Sequence, residues 1–186
     1  MNLSKVEPFL FRVPVGLISR FRVILYRMLG MKLGFKNRFE NGRVRRCCQI
    51  RIGTFNAFSK GFQLWPEDTF FDGVRISIGN NNYFNRNAML DACGFIEIGD
   101  FNMFGPDIYV TDSNHRFGPG ISPSKAPMNA GKVKIGSHCW IGAKVVILKD
   151  VELGDGCIVG AGAVVTKSFP AGSVIVGVPA RLLKQQ

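Results

Sequence analysis

At 186 residues the chain suits a single domain with room for a real core. Its net charge of +11 is unevenly placed: residues 1–52 hold 12 Lys and Arg against Glu7 and Glu40, and the rest hold 12 against 11 acids. Charge confined to one end argues against a uniformly basic nucleic-acid binder, so no nucleic-acid partner is expected. Five cysteines (Cys47, Cys48, Cys93, Cys139, Cys157) show no metal spacing, and their odd number suits a reducing compartment. The N-terminus lacks the unbroken apolar run and cleavage site of a signal peptide. A cytoplasmic protein is expected.

Pro14 to Met31 reads as a helix. Leu17, Phe21, Ile24 and Met28 fall at spacings of four, three and four and form one apolar stripe, widened by Ile18, Leu25 and Leu29. Arg20, Arg22 and Arg27 interrupt it too often for a membrane span. Such a helix can cover an open end of the fold, as terminal caps of repeat proteins do. It can also lie on an anionic membrane surface, giving peripheral contact at the inner membrane face. Both can hold together. Lys32–Arg51 follows as a basic connector in which a first weak repeat emerges.

From Ile50 onward a six-residue period takes over. Ile52-Gly53, Phe58 and Leu64 set the frame, and Trp65 to Gly73, with Pro66 and three acids, interrupts it as an inserted loop. Ile76, Ile78-Gly79, Phe84, Leu90 and Ile96 resume it; Ile98-Gly99 starts again two residues late, with a small bulge expected at that corner. After Val110 the period stops. Thr111-Asp112-Ser113-Asn114-His115 leads into a Pro- and Gly-bearing excursion to Gly131, a length at which loops are usually functional. Then Ile135, Ile141, Ile147, Leu153, Val159 and Val165 recur every six residues, with glycine behind four of them at Gly136, Gly142, Gly154 and Gly160. Neither helix nor ordinary strand predicts this period. A β-solenoid does: each hexad gives a short strand and a turn, and glycine makes a corner that a Cβ would obstruct. Three hexads make one triangular coil, stacked on the next at about 4.8 Å. Residues 1–49 are thus a basic helical cap and connector, and 50–183 the hexapeptide-repeat domain, with a protruding loop at 112–132.

This stretch, together with Val164-Val165-Thr166-Lys167, Phe169-Pro170 and Val176-Gly177-Val178-Pro179-Ala180-Arg181, resembles the hexapeptide-repeat acyltransferases over roughly Ile50 to Leu183. The resemblance implies an all-β solenoid of the left-handed parallel β-helix type, a homotrimer, and acetyl-CoA as cosubstrate with no metal required. His115 matches the catalytic base that ends a coil just before the family's protruding loop. Asn85, in Tyr83-Phe84-Asn85-Arg86-Asn87, matches an acceptor-contacting asparagine of galactoside and maltose acetyltransferases; the alternative is a turn residue bonding its own backbone. Those relatives carry an acidic pair aligned with Ala92 and Cys93, whereas this chain has Asp91, which leaves the acceptor open. Ala143, Ala161, Thr166, Lys167 and Arg181 match positions that meet the cofactor, the last two with the cationic groups that phosphates need. Trp140 resembles a tryptophan near the cofactor or serves as a large edge-packing residue. His138 sits inside a regular hexad and is read as structural.

The expected function is therefore O-acetyl transfer to a saccharide or glycan hydroxyl, probed against two rivals: N-acetylation of an amino-sugar nucleotide or antibiotic, and a non-catalytic scaffold. A zinc-dependent solenoid of the γ-carbonic-anhydrase type needs three histidines; this chain has only His115 and His138.

Overall fold

Parallel pairing joins Phe58 to Phe84, Phe84 to Phe104 and Phe104 to Ile141, so successive frame residues of the sequence sit directly above one another. The computed structural model describes residues 3–67 and 73–186. It winds six complete three-sided coils: coil 1 (32–44), coil 2 (50–66), coil 3 (76–92), coil 4 (95–111), coil 5 (132–147) and coil 6 (152–165). Their first, second and third sides stack into three parallel sheets. The second sheet continues past coil 6 through Ser173–Val176 and then Arg181–Gln185, which pairs antiparallel and closes that end.

The interior is a column of rings and aliphatics. Phe39, Phe58, Phe84 and Phe104 stack with centroids 4.8, 4.6 and 4.4 Å apart and planes 4° from parallel, continued by Ile141, Val159 and Ile175. Beside this column runs an asparagine ladder. Asn37 Oδ1 accepts the Asn56 N–H, Asn56 that of Asn82, Asn82 that of Asn102, and Asn102 that of Cys139, at 2.7–2.9 Å. Cys139 and Cys157 occupy the same corner one and two coils further on, as buried fillers. Replacing Asn82 by Ala is expected to strand the buried Asn102 N–H and cost about 1–3 kcal/mol, read as a lowered unfolding midpoint.

The glycines behind the frame residues are needed for closeness rather than for unusual dihedrals. A Cβ on Gly142 would lie 2.6 Å from the Ala161 nitrogen of the next coil. Many of the left-handed corner positions are instead held by side-chain-bearing residues, among them Phe101 and His138, whose rings stack at 5.1 Å, although coil 6 uses Gly156 and Gly162 there. His138 is thus a corner packing residue.

Extra residues all leave from one corner, between the third side and the next first side. They fall at 45–49, 67–75, Cys93-Gly94 and 112–131. The two-residue slip before Ile98 lies at Cys93-Gly94, because Ile96 and Ile98 pair in register with Ile76 and Ile78. Trp65 and Pro66, expected in a loop, complete the third strand of coil 2; residues 68–72 of that loop lie outside the described residues.

The helix is longer than its pattern predicts, spanning Leu3–Met28. It ends where Gly30, at φ 90°, donates to the Arg27 carbonyl and Met31 to that of Tyr26, a Schellman closure. Its Ser19 Oγ accepts the Phe39 N–H at 2.8 Å, and Tyr26 stands edge-on to the Phe39 ring. The helix therefore caps the open end of the phenylalanine column. Coil 1 lies within the basic connector and stacks on coil 2 through Lys32–Leu33, Arg38–Phe39 and Arg43–Val44.

Candidate active site

The outward positions of the three sides differ in chemistry. Side one carries Arg51, Ser77, Glu97, Lys134 and Glu152, with exposed ion pairs such as Lys134–Glu152 at 2.9 Å. Side two carries Tyr83, Met103, Trp140 and Ile158 in one register, and Met103 and Trp140 are each 55% exposed. A solvated face does not need that apolar ladder. At its edge, where side two turns into side three, a groove of about 500 Å³ opens.

This groove brings together four of the residues singled out in sequence: Asn85, Trp140, Ala143 and Ala161. Its floor is backbone, because Gly105, Gly142 and Gly160 carry no side chain there; a Cβ on Gly105 would sit 2.5 Å from the Ala143 nitrogen. A long thin ligand can thus approach main-chain amides between the ladder and the small residues. Asn85 is half-buried, with its Oδ1 accepting the Arg86 N–H at 2.8 Å, so it does hold its own turn. Its amide nitrogen has no hydrogen bond among the described residues, and the residue lines the groove beside Tyr83.

His115 lies elsewhere. The excursion after coil 4 is a hairpin, Ser113–His115 paired antiparallel with Met128–Ala130, so the histidine ends a strand rather than sitting in a loop. Its side chain is exposed and lines a shallow hollow of about 390 Å³ with Asn114, Arg116, Phe117, Ile121 and Asn129. The hairpin leaves from the third-to-first corner and the groove lies on the second-to-third corner, so the two occupy different edges of the prism. Thr166, Lys167 and Arg181 line neither. They are exposed at the far end, with Lys167 Nζ 5.6 Å from the Phe169 ring and Arg181 opening the last strand opposite Val176.

The root of the hairpin contains a residue that pattern reading missed. Asp112 is fully buried, and its carboxylate accepts the Cys93 N–H at 2.8 Å and the Gly94 N–H at 3.0 Å. Its carbonyl accepts the Gly131 N–H, so one residue ties both ends of the excursion to the coil beneath. Burial pushes the Asp112 carboxyl up, and the two backbone donors partly offset this. Its one signal in sequence is an acid placed immediately where the period stops. Nearby, Cys93 Sγ donates to Glu67 at 2.8 Å, and burial with that carboxylate pushes the thiol up to about 12. Tyr109 donates to Asp91 at 2.8 Å, so the displaced acid is engaged on side three.

Residues 132–167 match the model of the bacterial transferase hexapeptide (six repeats). The putative lipopolysaccharide biosynthesis O-acetyl transferase WbbJ of Escherichia coli (strain K12) is 31% identical over 160 residues, covering 79% of this chain and 81% of that protein. The chain belongs to the hexapeptide-repeat transferase family. Nodulation protein L of Rhizobium meliloti (strain 1021) is 40% identical to this hexapeptide-repeat protein over 111 residues, 59% of the chain and 60% of the relative. The chain thus spans about three fifths of the nodulation proteins it matches. Among solved structures, an N-acyltransferase from Bacillus cereus, in complex with dTDP and Coenzyme A, superposes with a TM-score of 0.74 at 24% identity, covering 86% of this chain and 87% of that one. The likeness concerns the fold, a left-handed parallel β-helix.

Proposed function

We propose that the protein transfers an acetyl group from acetyl-CoA to a hydroxyl of a saccharide, with surface polysaccharide biosynthesis as the setting. The observation that carries this reading is the glycine-floored groove collecting Asn85, Trp140, Ala143 and Ala161 on a family fold. The O-acetyl transferase name of the Escherichia coli relative favours oxygen over nitrogen as acceptor atom.

His115 takes the hydroxyl proton as the oxygen attacks the thioester carbonyl. Histidine is suited because its ordinary titration range meets neutral pH. Main-chain amides along the groove hold the negative charge that develops on the carbonyl oxygen. The carbon–sulfur bond breaks, and the imidazolium returns its proton to the leaving thiolate. Transfer is direct. A cysteine nucleophile would need a thiolate, yet Cys93 is pushed up to about 12 and buried Cys139 to about 11.

The separation of His115 and the groove on two prism edges favours a cyclic homotrimer. Each site then combines His115 of one chain with the groove of its neighbour, and the exposed ladder of Met103 and Trp140 would be covered there. Thr166 and Lys167, just past the third side of coil 6, and Arg181 on the last strand of the second sheet reach the pantetheine and nucleotide phosphates of the bound coenzyme. We place the reaction in the cytoplasm, with the basic N-terminal segment as the point of peripheral contact at the inner membrane face.

Thiol release from acetyl-CoA, measured across a panel of saccharides and amino sugars, tests the reading. Release stimulated by saccharides without an amine is expected. Stimulation by amino sugars alone would make the protein an N-acetyltransferase, and none from any acceptor would leave a scaffold. Filling the groove by Ala161→Trp should weaken coenzyme binding on the order of 10²-fold in calorimetry, about 3 kcal/mol, with the fold retained.

A further inference from the structure

The N-terminal helix turns its most apolar face away from the solenoid. Ser19, Val23 and Tyr26 meet coil 1, while Leu17, Phe21, Ile24 and Met28 are 59, 66, 57 and 79% exposed. With Ile18, Leu25 and Leu29 they cover an arc of about 140° at 100° per residue. Arg20 and Arg27 border the arc on one side and Arg22 on the other. Between the helix and coil 1 a cleft of about 520 Å³ opens, walled by Val23 and Ile24 and carrying Arg20, Lys36 and Arg38. Among the described residues no acid pairs with these three cations, and positions 8–39 contain neither Asp nor Glu.

We infer that this face docks on an anionic lipid bilayer, the apolar arc entering the boundary between headgroups and chains while Arg20, Lys36 and Arg38 meet lipid phosphates at the cleft. An apolar stripe rimmed by cations is the pattern that lies in the interface plane. No helix of the described residues is long and apolar enough to cross. A second copy of the chain is a poorer cover, since matching stripes would bring Arg20, Arg22 and Arg27 against their own kind, with Glu7 near the far end as the one acid of each helix. The inference deepens the proposed membrane contact and needs no acetyl transfer, so it stands or falls apart from the activity.

The test is cosedimentation of the full chain with vesicles of phosphatidylcholine alone or containing phosphatidylglycerol, at low and high salt. Binding to the anionic vesicles is expected, weakened by salt, with Arg20→Gln and Arg38→Gln each lowering partitioning about fivefold. Phe21→Ser with Met28→Ser should abolish it without changing thermal unfolding, because both side chains are exposed. The inference is overturned if the wild type stays in the supernatant, if it binds neutral vesicles equally well, or if the double serine variant sediments like the wild type. Sedimentation velocity without lipid supplies a further check: an assembly that dissociates in the serine variant, with no vesicle binding by the wild type, assigns the face to a second copy instead.

Discussion

His115→Ala is expected to lower acetyl transfer about 10²–10⁴-fold, the usual contribution of a positioned general base. Folding and coenzyme binding should survive. The imidazole is exposed, has no hydrogen bond among the described residues, and stands on a hairpin outside the coil stack. Changes at such positions usually stay within about 0.5 kcal/mol. The groove that would hold the coenzyme shares no lining residue with the His115 hollow. Turnover with a responsive acceptor, coenzyme affinity and thermal unfolding, measured on both proteins, separate the possibilities. Near-normal turnover would remove His115 from the mechanism. Collapse of all three together would make it a structural residue.

Phe84→Ala should do the reverse, damaging the fold first. Phe84 is fully buried between Phe58 at 4.6 Å and Phe104 at 4.4 Å. Truncation leaves a hole that rigidly spaced coils cannot close, for about 3–5 kcal/mol, and it removes the stacking on both neighbouring rings. For a chain of this size each kcal/mol shifts the melting temperature by about 2–4 °C, so a fall of roughly 10 °C is expected at matched protein concentration. An unchanged midpoint would show that the column relaxes far more freely than its stacking implies. Coenzyme affinity should fall too, since Tyr83 and Asn85 flank the deleted ring on the groove wall.

The coils between Ile135 and Val165 were legible because nothing interrupts them. Each frame residue is buried, and Gly136, Gly142 and Gly154 meet the backbone of the next turn closely enough to exclude a Cβ. The asparagine ladder was hidden by the same logic. Asn37, Asn56, Asn82 and Asn102 occupy one corner, but inserted residues between coils destroy their regular spacing. The groove's four residues could be named one by one, whereas their union depends on side two having apolar outward positions and side one charged ones. Which helix face docks could not be seen from the hydrophobic pattern, because docking uses Ser19 Oγ and the Tyr26 ring instead of the long stripe. Asp112 was invisible because a buried acid reads as a turn residue until its two backbone donors are placed.

The confinement of every excursion to one prism edge has a consequence for how this molecule can change. Lengthening a segment there costs only loop-closure entropy, about 0.6 kcal/mol for each doubling. A single residue added within a strand at either other edge would reverse inward and outward positions beyond it unless a corner absorbed the change. Added length therefore has one outlet, the edge bearing His115 and the acids around Cys93, while the edge that would carry the coenzyme keeps one gauge of six residues from coil 2 to coil 6; coil 1 is one residue shorter there, from Phe39 to Val44. Under the proposed function, the hairpin that bears His115 can vary in length without disturbing the spacing of the groove.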